Sequence, residues 1–537
     1  MPSAPSRRAV LTGAATGIAA ASLRSAAPGL AAAGSEYGDA PYSGPGLAPT
    51  AVGPLPAGDD AQLHLLRRVT HGPAPADWQL ITALGASQYL EDQLADRADR
   101  LTDMAVQSRF PYAETAPAAT YAALGPSFSG TAMRQVALAH TFRQLVSTRQ
   151  LFEQVVDVFF NRLNIPANGD NAPWSLPDYY AQVIRKNAYG KYADMVLASV
   201  THGAMLDYLS ASKSTKAHPN ENLGRELLEL HTVGLAARYT ETHVKQAGLA
   251  LTGLTTNPDG SATYKAADHY TGKLRVLGWS HDNADPAAGR DVVASLVNYL
   301  VRQPTTARRI ALTLAIRFVS DNPPADLLDT MQKAYLDGDT AIVPVLRAMF
   351  AHKAFADSVG AKVRRPHQQA LAVARALQVG ADQSQSAGSD GTTKLWFAMG
   401  YLADAPLTHA APDGHPDINA FWLSSSTRLA APKWAVSAIN GWGAGLTKPS
   451  ASDLRPTDLH ATGGEVWLPT TMLTPRQLVA ACARRMLGVT LPDAQLDLVA
   501  KGAAIDPTGP AASLSAYDGA LPAVYALLAA HPLHTVR

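Results

Sequence analysis

The 537-residue chain contains a single cysteine, Cys482. One thiol excludes an internal disulfide and a thiolate metal cage. Cys482 lies in the apolar helical run Leu478-Val479-Ala480-Ala481-Cys482-Ala483 and reads as an inert core residue. An excess of either charge is also missing. The 45 Lys and Arg nearly balance the 44 Asp and Glu, which excludes the basic footprint of a nucleic-acid binder. Charged residues make up 17% against 47% hydrophobic, a balance that builds a core rather than a disordered chain. After the N-terminal segment no run reaches the ~18 uncharged apolar residues of a membrane span, so no transmembrane segment is expected in the mature chain. The familiar catalytic signatures are absent too: no His-Glu-x-x-His, no Gly-x-Ser-x-Gly elbow, no phosphate loop and no full dinucleotide fingerprint.

The N-terminus is informative. Ser6-Arg7-Arg8-Ala9-Val10-Leu11 is a twin-arginine pattern, followed by a weakly apolar run over 9–22 and the small-residue cleavage site Ala31-Ala32-Ala33. Residues 1–33 therefore read as an export signal, and the mature protein is expected outside the cytoplasm. Without that segment, which holds Arg7, Arg8 and Arg24 and no acid, the chain is slightly acidic. Residues 34–60 are rich in Pro, Gly and Ala and read as an extended leader.

From residue 61 the dominant period is helical. The expected fold is mainly α: a multi-helix array with a helical main domain over 61–380 and a loop-rich C-terminal helical part over 381–537 packed on it. Strand signals are few. Residues 262–264 and 274–279 are expected to pair as one small hairpin around Gly272. Thr474-Pro475-Arg476-Gln477 is a helix start, with a Thr cap, proline at the first position and Gln at the third.

The richest stretch is Asn220-Glu221-Asn222-Leu223-Gly224-Arg225-Glu226-Leu227-Leu228-Glu229-Leu230-His231-Thr232-Val233-Gly234. On a regular helical wheel Glu221, Arg225 and Glu229 share one face, with Asn222 and Glu226 beside them and the leucines opposite. Such an acid–base–acid ladder reads in two ways. It is either a solvated or buried ion-pair network, or the wall of a cleft whose carboxylates act as general acid and base or ligate a hard cation. Asn220 and Asn222 are placed to orient a polar substrate or cap the helix. His231 falls on the apolar side and reads as a packed residue. A second candidate is the Pro/Gly-rich loop with Asp413, His415 and Asp417, whose alternating spacing can present two carboxylates and an imidazole to a divalent metal or a substrate. The other reading of that loop is a turn held by its own aspartates. Asn161, Arg67 and His269 complete the candidate substrate-binding set.

Several motifs in order resemble the bacterial family catalogued as domain of unknown function 1800. They are His64-Leu65-Leu66-Arg67-Arg68 with Gly72; Asp157 to Asn164, with Arg162 where a histidine is usual; the Asn220 to Gly234 segment, with His231 replacing an aromatic; Tyr239-Thr240-Glu241; and Leu251-Thr252-Gly253. His269-Tyr270-Thr271-Gly272 carries Tyr270 in place of an aspartate, with Lys273 displaced by one, and Arg365-Pro366-His367-Gln368 carries Gln368 in place of a glutamate. Pro412 to Asp417 with Trp422-Leu423 resembles the family's proline-rich C-terminal motif. The resemblance covers about residues 60–537. It implies an exported, mostly helical protein, of a kind often encoded beside a second exported family similar to sulfatases and phosphatases.

Two functions follow as expectations. The first is a hydrolase acting on a polar or polymeric extracellular substrate. In it Glu226 or Glu229 is the base or metal ligand, Arg225 the electrostatic clamp, Glu221 part of the same face, and the His415 loop closes the cleft. Asp413 and Asp417 are its candidate metal ligands. The second is a non-catalytic binding or assembly protein working with an exported partner. It draws on the aromatics Trp396, Trp422, Trp434, Trp442 and Trp467 as carbohydrate-stacking or interface surface.

Overall fold

The structure is a computed structural model that describes residues 61–126, 130–167, 172–379, 390–439, 454–456 and 472–537. The expected export signal, the leader, Trp442 and Trp467 lie outside the described residues. Among the described residues helices dominate, joined by two two-stranded sheets. The mainly α expectation holds. None of the described helices is long and apolar enough to cross a membrane.

The helix Gln150–Arg162 runs through the middle of the main core and is buried from Gln150 to Phe160. A helix covered on every side must satisfy its polar residues internally. Val155, Val156, Phe159 and Phe160 fill the core. Glu153 takes a fork from Arg185 at 2.7 and 3.0 Å, and Asp157 accepts from Arg317 at 2.6 Å. Gln154 donates to the Thr70 carbonyl at 2.8 Å. The sequence thus buries acids only where an arginine from another helix meets them, which fixes how Gln150–Arg162 and Pro304–Phe318 pack.

The helix Pro366–Leu377 is buried along its whole length. Its residues Val373, Ala376 and Leu377 join a second core formed by Leu63 and residues of 435–533. Arg375 of the same helix donates to the carbonyls of Gly72 and Leu145 and pairs with Asp77 at 2.7 Å. It therefore fastens the second core to the first. Within the second core Thr474 and Gln477 form the expected capping box: the Thr474 hydroxyl accepts from the Gln477 backbone amide, and Gln477 Oε1 accepts from the Thr474 backbone amide. Cys482 is buried there, and burial pushes its thiol up to about 12, so it stays an unreactive thiol.

The hairpin expectation needs correction. Strand β1 (Leu254–Thr256) pairs with β2 (Ala262–Tyr264), and β3 (Leu274–Val276) pairs with β4 (Trp279–His281), both antiparallel. Each strand closes on its nearest neighbour in sequence, across Asn257-Pro258-Asp259-Gly260-Ser261 and across Leu277-Gly278. Short loops cost the least closure entropy, and both hold turn-forming residues.

The signature segment is helical in two registers. Asn222–Glu226 is α-helical, and Leu227–His231 continues as a wider π-helix. Gly224 lies against Gly248 of the helix Glu241–Ala250. A Cβ on Gly224 would sit 2.6 Å from the Gly248 amide nitrogen, so the two backbones touch only because both residues lack a side chain. At the exit Gly234 has a positive φ of 67° with extended ψ, and its amide donates to the Leu228 carbonyl at 2.8 Å, closing the wide turn.

Candidate functional site

A cleft of about 160 Å³ opens where four elements meet. Its walls are the end of Gln150–Arg162 (Asn161, Arg162), the π-helical turn (Glu229, Leu230), the helix Pro304–Phe318 (Arg309, Thr313, Arg317) and the loop 413–418. The structure therefore brings Asn161, Glu229, Asp413, His415 and Asp417 into one cleft.

Its floor is an ion-pair network. Arg317 donates to Asp157, to Asp417 and, at 3.0 Å, to Gln154. Lys362 adds 2.6 Å to Asp321, 2.8 Å to the Asp417 carbonyl and 3.7 Å to the Asp417 carboxylate. Burial alone would raise the Asp417 carboxyl, but Arg317, Lys362 and Arg365 together hold it well below the ordinary carboxylate range. Asp157 is held down in the same way, chiefly by Arg317 against its own burial. Asp417, expected as a metal ligand, thus has its carboxylate committed to two cations. Among the described residues no group of three His, Cys, Asp or Glu side chains is placed to hold a metal ion.

The loop is pinned to the helix end by two asparagines. Asn161 Oδ1 accepts the His415 amide at 2.8 Å while Asn161 Nδ2 donates to the His415 carbonyl at 2.8 Å. Asn164 Nδ2 donates to the carbonyls of His409 and Ala411 at 2.8 and 2.7 Å. Gly414 between them has φ +73°, and a Cβ there would run into the Asn161 backbone oxygen. Asn161 is therefore a positioning residue that also lines the cleft.

At the rim the Glu226 carboxyl feels two further carboxylates, Glu229 of the same segment and Asp413 of the loop. Glu226 is half-buried, and its carboxyl is raised to about 7 by burial first and the negative charge of Glu229 second, with a smaller push from Asp413 and an opposing pull from Arg225. Glu226 itself does not line the cleft; Glu229, one turn on, does. Tyr239 donates to Glu229 at 2.7 Å, and His409 Nε2 lies 3.1 Å from the Asp413 carboxylate. The Tyr208 hydroxyl is pushed up to about 12 by burial, then by Asp413 and Glu226, so it remains a donor, here to the Ala410 carbonyl at 2.7 Å. A carboxyl that titrates near neutrality beside two others is the arrangement that separates an acid from a base.

Behind the rim His415 packs 4.5 Å from His409 and 5.7 Å from Trp422 between ring centroids. Burial first, then Arg365, pushes the His415 imidazole down to about 3, so it is neutral at ordinary pH. His415 also lines a small chamber with His367, Asp157 and Asn161. His367 Nδ1 donates to Asp404 at 2.7 Å, and Asp404 pairs with Arg365. The Nε2 atoms of His367 and His415 are both shut off from solvent without a hydrogen-bond partner.

Other sequence candidates fall elsewhere. Arg225 does not bridge to Glu229, as the regular wheel implied. It pairs with Glu221 at 3.0 Å and with Glu241 of the next helix at 2.6 Å, partly exposed. The π-turn starting at Leu227 rotates Glu229 off that ladder. Asn220 turns back on its own chain, accepting the Asn222 amide at 2.9 Å and donating to the Ser210 carbonyl at 3.2 Å, while Asn222 is exposed. Arg67 is buried and donates to the Leu487 carbonyl at 2.6 Å, tying the first helix to the second core. His269 is buried between the Thr252 carbonyl at 2.7 Å and Asn283 Oδ1 at 2.9 Å. Neither Arg67 nor His269 lines the cleft. His231 is packed as expected, fully buried.

Sequence reasoning missed Arg317, Lys362, Asp404, Tyr208 and Tyr239. Arg317 carried a usable signal: a lone cation in the apolar run Ile310 to Val319, where a charge needs a buried acid. Lys362 and Asp404 sit in irregular segments with no periodicity to read.

Fold and site together define a mainly α protein whose cleft, with charged groups set in a largely apolar wall, is built by a two-register helix and an asparagine-clamped loop. The chain belongs to the family described as protein of unknown function (DUF1800), whose model matches residues 64–533. Comparison with curated proteins and with solved structures finds no match.

Proposed function

We propose that this protein is an exported hydrolase-type enzyme acting on a polar or polymeric substrate bound in the cleft. The carrying observation is the Glu226, Glu229 and Asp413 cluster, in which burial and like charge bring Glu226 to about 7. In this reading Glu226, set beside the cleft-lining Glu229 rather than in the wall itself, delivers and recovers the proton through one bridging water, and Glu229, fixed by Tyr239, supplies the negative charge that keeps Glu226 basic. Asp413 reaches the same rim from the loop that Asn161 holds. Glu221 and Arg225 position the helix through their partly exposed pairing with Glu241. The twin-arginine segment supports export, and loss of Arg7 and Arg8 should retain the protein in the cytoplasmic fraction.

The test is a screen of chromogenic glycosides, carboxylic esters, phosphate esters and sulfate esters between pH 5 and 9, with Glu226→Gln beside the wild type. Turnover on one class, reduced by about 10²–10⁴-fold in the variant, is expected for a lost general acid–base. Equal turnover in both sinks the role of Glu226. A second reading, a non-catalytic protein working with an exported partner, draws on Phe397 and Tyr401, exposed by 49% and 91% and one helical turn apart. No turnover on any class, with a stoichiometric partner recovered from culture supernatant, favours that reading.

A further inference from the structure

We propose that the cleft recognises its substrate by an oxyanion (a carboxylate, sulfate or phosphate group) seated on Arg162. The inference rests on the cleft being the substrate site and adds the chemical class of what enters it.

Arg162 ends the helix Gln150–Arg162 and lines the cleft. Two of its nitrogens hold the guanidinium in place. Nε donates to the Tyr192 hydroxyl at 3.1 Å, and Nη1 donates to Thr313 Oγ1 at 3.0 Å. Both anchors are themselves fixed, since Tyr192 donates to the His231 carbonyl at 2.6 Å and Thr313 to the Arg309 carbonyl at 2.9 Å. The third nitrogen, Nη2, is shut off from bulk solvent and has no hydrogen-bond partner.

What sets Arg162 apart is the missing countercharge. Arg317 in the same cleft meets two carboxylates. Among the described residues no carboxylate forms an ion pair with Arg162, although Glu229, Asp413 and Asp417 all line the cleft. Those acids are taken up by Tyr239, by His409, and by Arg317 with Lys362. A guanidinium does not discharge by losing its proton, and leaving it partly desolvated and unpaired is costly. Nearby, Arg309 is buried and spends Nη1 on the Thr232 carbonyl at 2.8 Å. Burial first, then Arg162 and Arg309, pushes the His231 ring down to about 3 and keeps it neutral. The Arg162 guanidinium is therefore held rigidly and short of one acceptor. Leu230, Leu235, Leu312 and Ile316 beside it give an apolar wall for the body that carries the anion. A planar, pre-positioned N–H donor next to apolar surface suits an acidic sugar or a sulfate- or phosphate-bearing polymer unit better than a neutral one.

The experiment is calorimetric titration of sodium sulfate, sodium phosphate and sodium acetate into the full-length protein at pH 7.5 and constant ionic strength. The variants are Arg162→Gln, Arg162→Lys and Glu226→Gln. At least one of the three anions should bind the wild type, at least about tenfold weaker in Arg162→Gln, because a charge-assisted bond is lost. Arg162→Lys, which keeps the charge and loses the fork, should weaken binding severalfold, and it carries the test if Arg162→Gln does not fold. Which anion binds best tells a carboxylate substrate from a tetrahedral one. Binding of none of the three, or equal binding by wild type and both Arg162 variants, overturns the proposal. Glu226→Gln separates the two readings: retained anion binding with lost turnover supports both. Lost turnover without any Arg162-dependent binding leaves the hydrolase reading standing and removes this one.

Discussion

Replacing Glu226 with glutamine should stabilise the protein above neutral pH and leave it unchanged in mild acid. In the unfolded chain this carboxyl has its ordinary value of 4.5, whereas folding raises it to about 7. Between those two values the folded state holds a proton that the unfolded state has released. Stability therefore falls as pH rises from 4.5 through about 7, and the penalty is complete above that. At about 1.4 kcal/mol per unit the full shift would correspond to roughly 3 kcal/mol, and partial exposure of Glu226 brings this to about 1–2 kcal/mol. Glutamine mimics the protonated acid in shape and cannot ionise. The variant should gain about 1–2 kcal/mol at pH 8 and nothing at pH 4.5, read from urea midpoints at unchanged m-value. Comparing wild type and variant at each pH cancels the other titrating groups. A variant equal to the wild type at pH 8, or less stable there, would refute the reasoning, because it would mean that Glu226 ionises without penalty or makes a stabilising pair.

Three further outcomes follow from the cleft floor and its clamp. Asp417→Asn leaves Arg317 and Lys362 short of a buried partner and should cost about 3–5 kcal/mol in denaturant unfolding. Asn161→Ala removes both hydrogen bonds to the His415 backbone, so it should cost about 1–3 kcal/mol and speed amide exchange at His415. Because Asp157, Asp404 and Asp417 are held below their ordinary value of 3.8, the stability they contribute is present above that value. It should be lost as pH falls below it toward the folded-state values, seen as a loss of near-ultraviolet ellipticity.

Much of the architecture is readable because it depends on features that repeat. Apolar spacing at three and four residues marks the helices, and Thr474 with Gln477 marks a helix start that the structure keeps. Pairing of strands is different. Residues 262–264 and 274–279 both carry strand signals, but which partner each takes depends on competing loop closures, and the shorter loops prevail. The site was half legible. The signature segment and the Asp413 to Asp417 loop do meet in one cleft, as chemistry-bearing residues in a polar face and a Pro/Gly loop suggested. The division of labour inside it was not legible. One π-turn at Leu227 transfers Glu229 from Arg225 to Tyr239, and no periodicity signals a single widened turn. Likewise the spacing of Asp413, His415 and Asp417 suggests three equivalent groups. Only the third dimension shows Asp417 sunk onto Arg317 while Asp413 stays at the rim.

The most direct test of the central claim is a carboxyl ¹³C titration of the intact protein with labelled glutamate, Glu226→Gln identifying the resonance and Glu229→Gln repeating the titration. A Glu226 midpoint near 7 in the wild type that drops in Glu229→Gln is the result expected of an acid and a base separated by burial and like charge. A midpoint near 4.5, unmoved by Glu229→Gln, would mean that this rim holds ordinary solvated carboxylates and that the proposed proton transfer has no carrier.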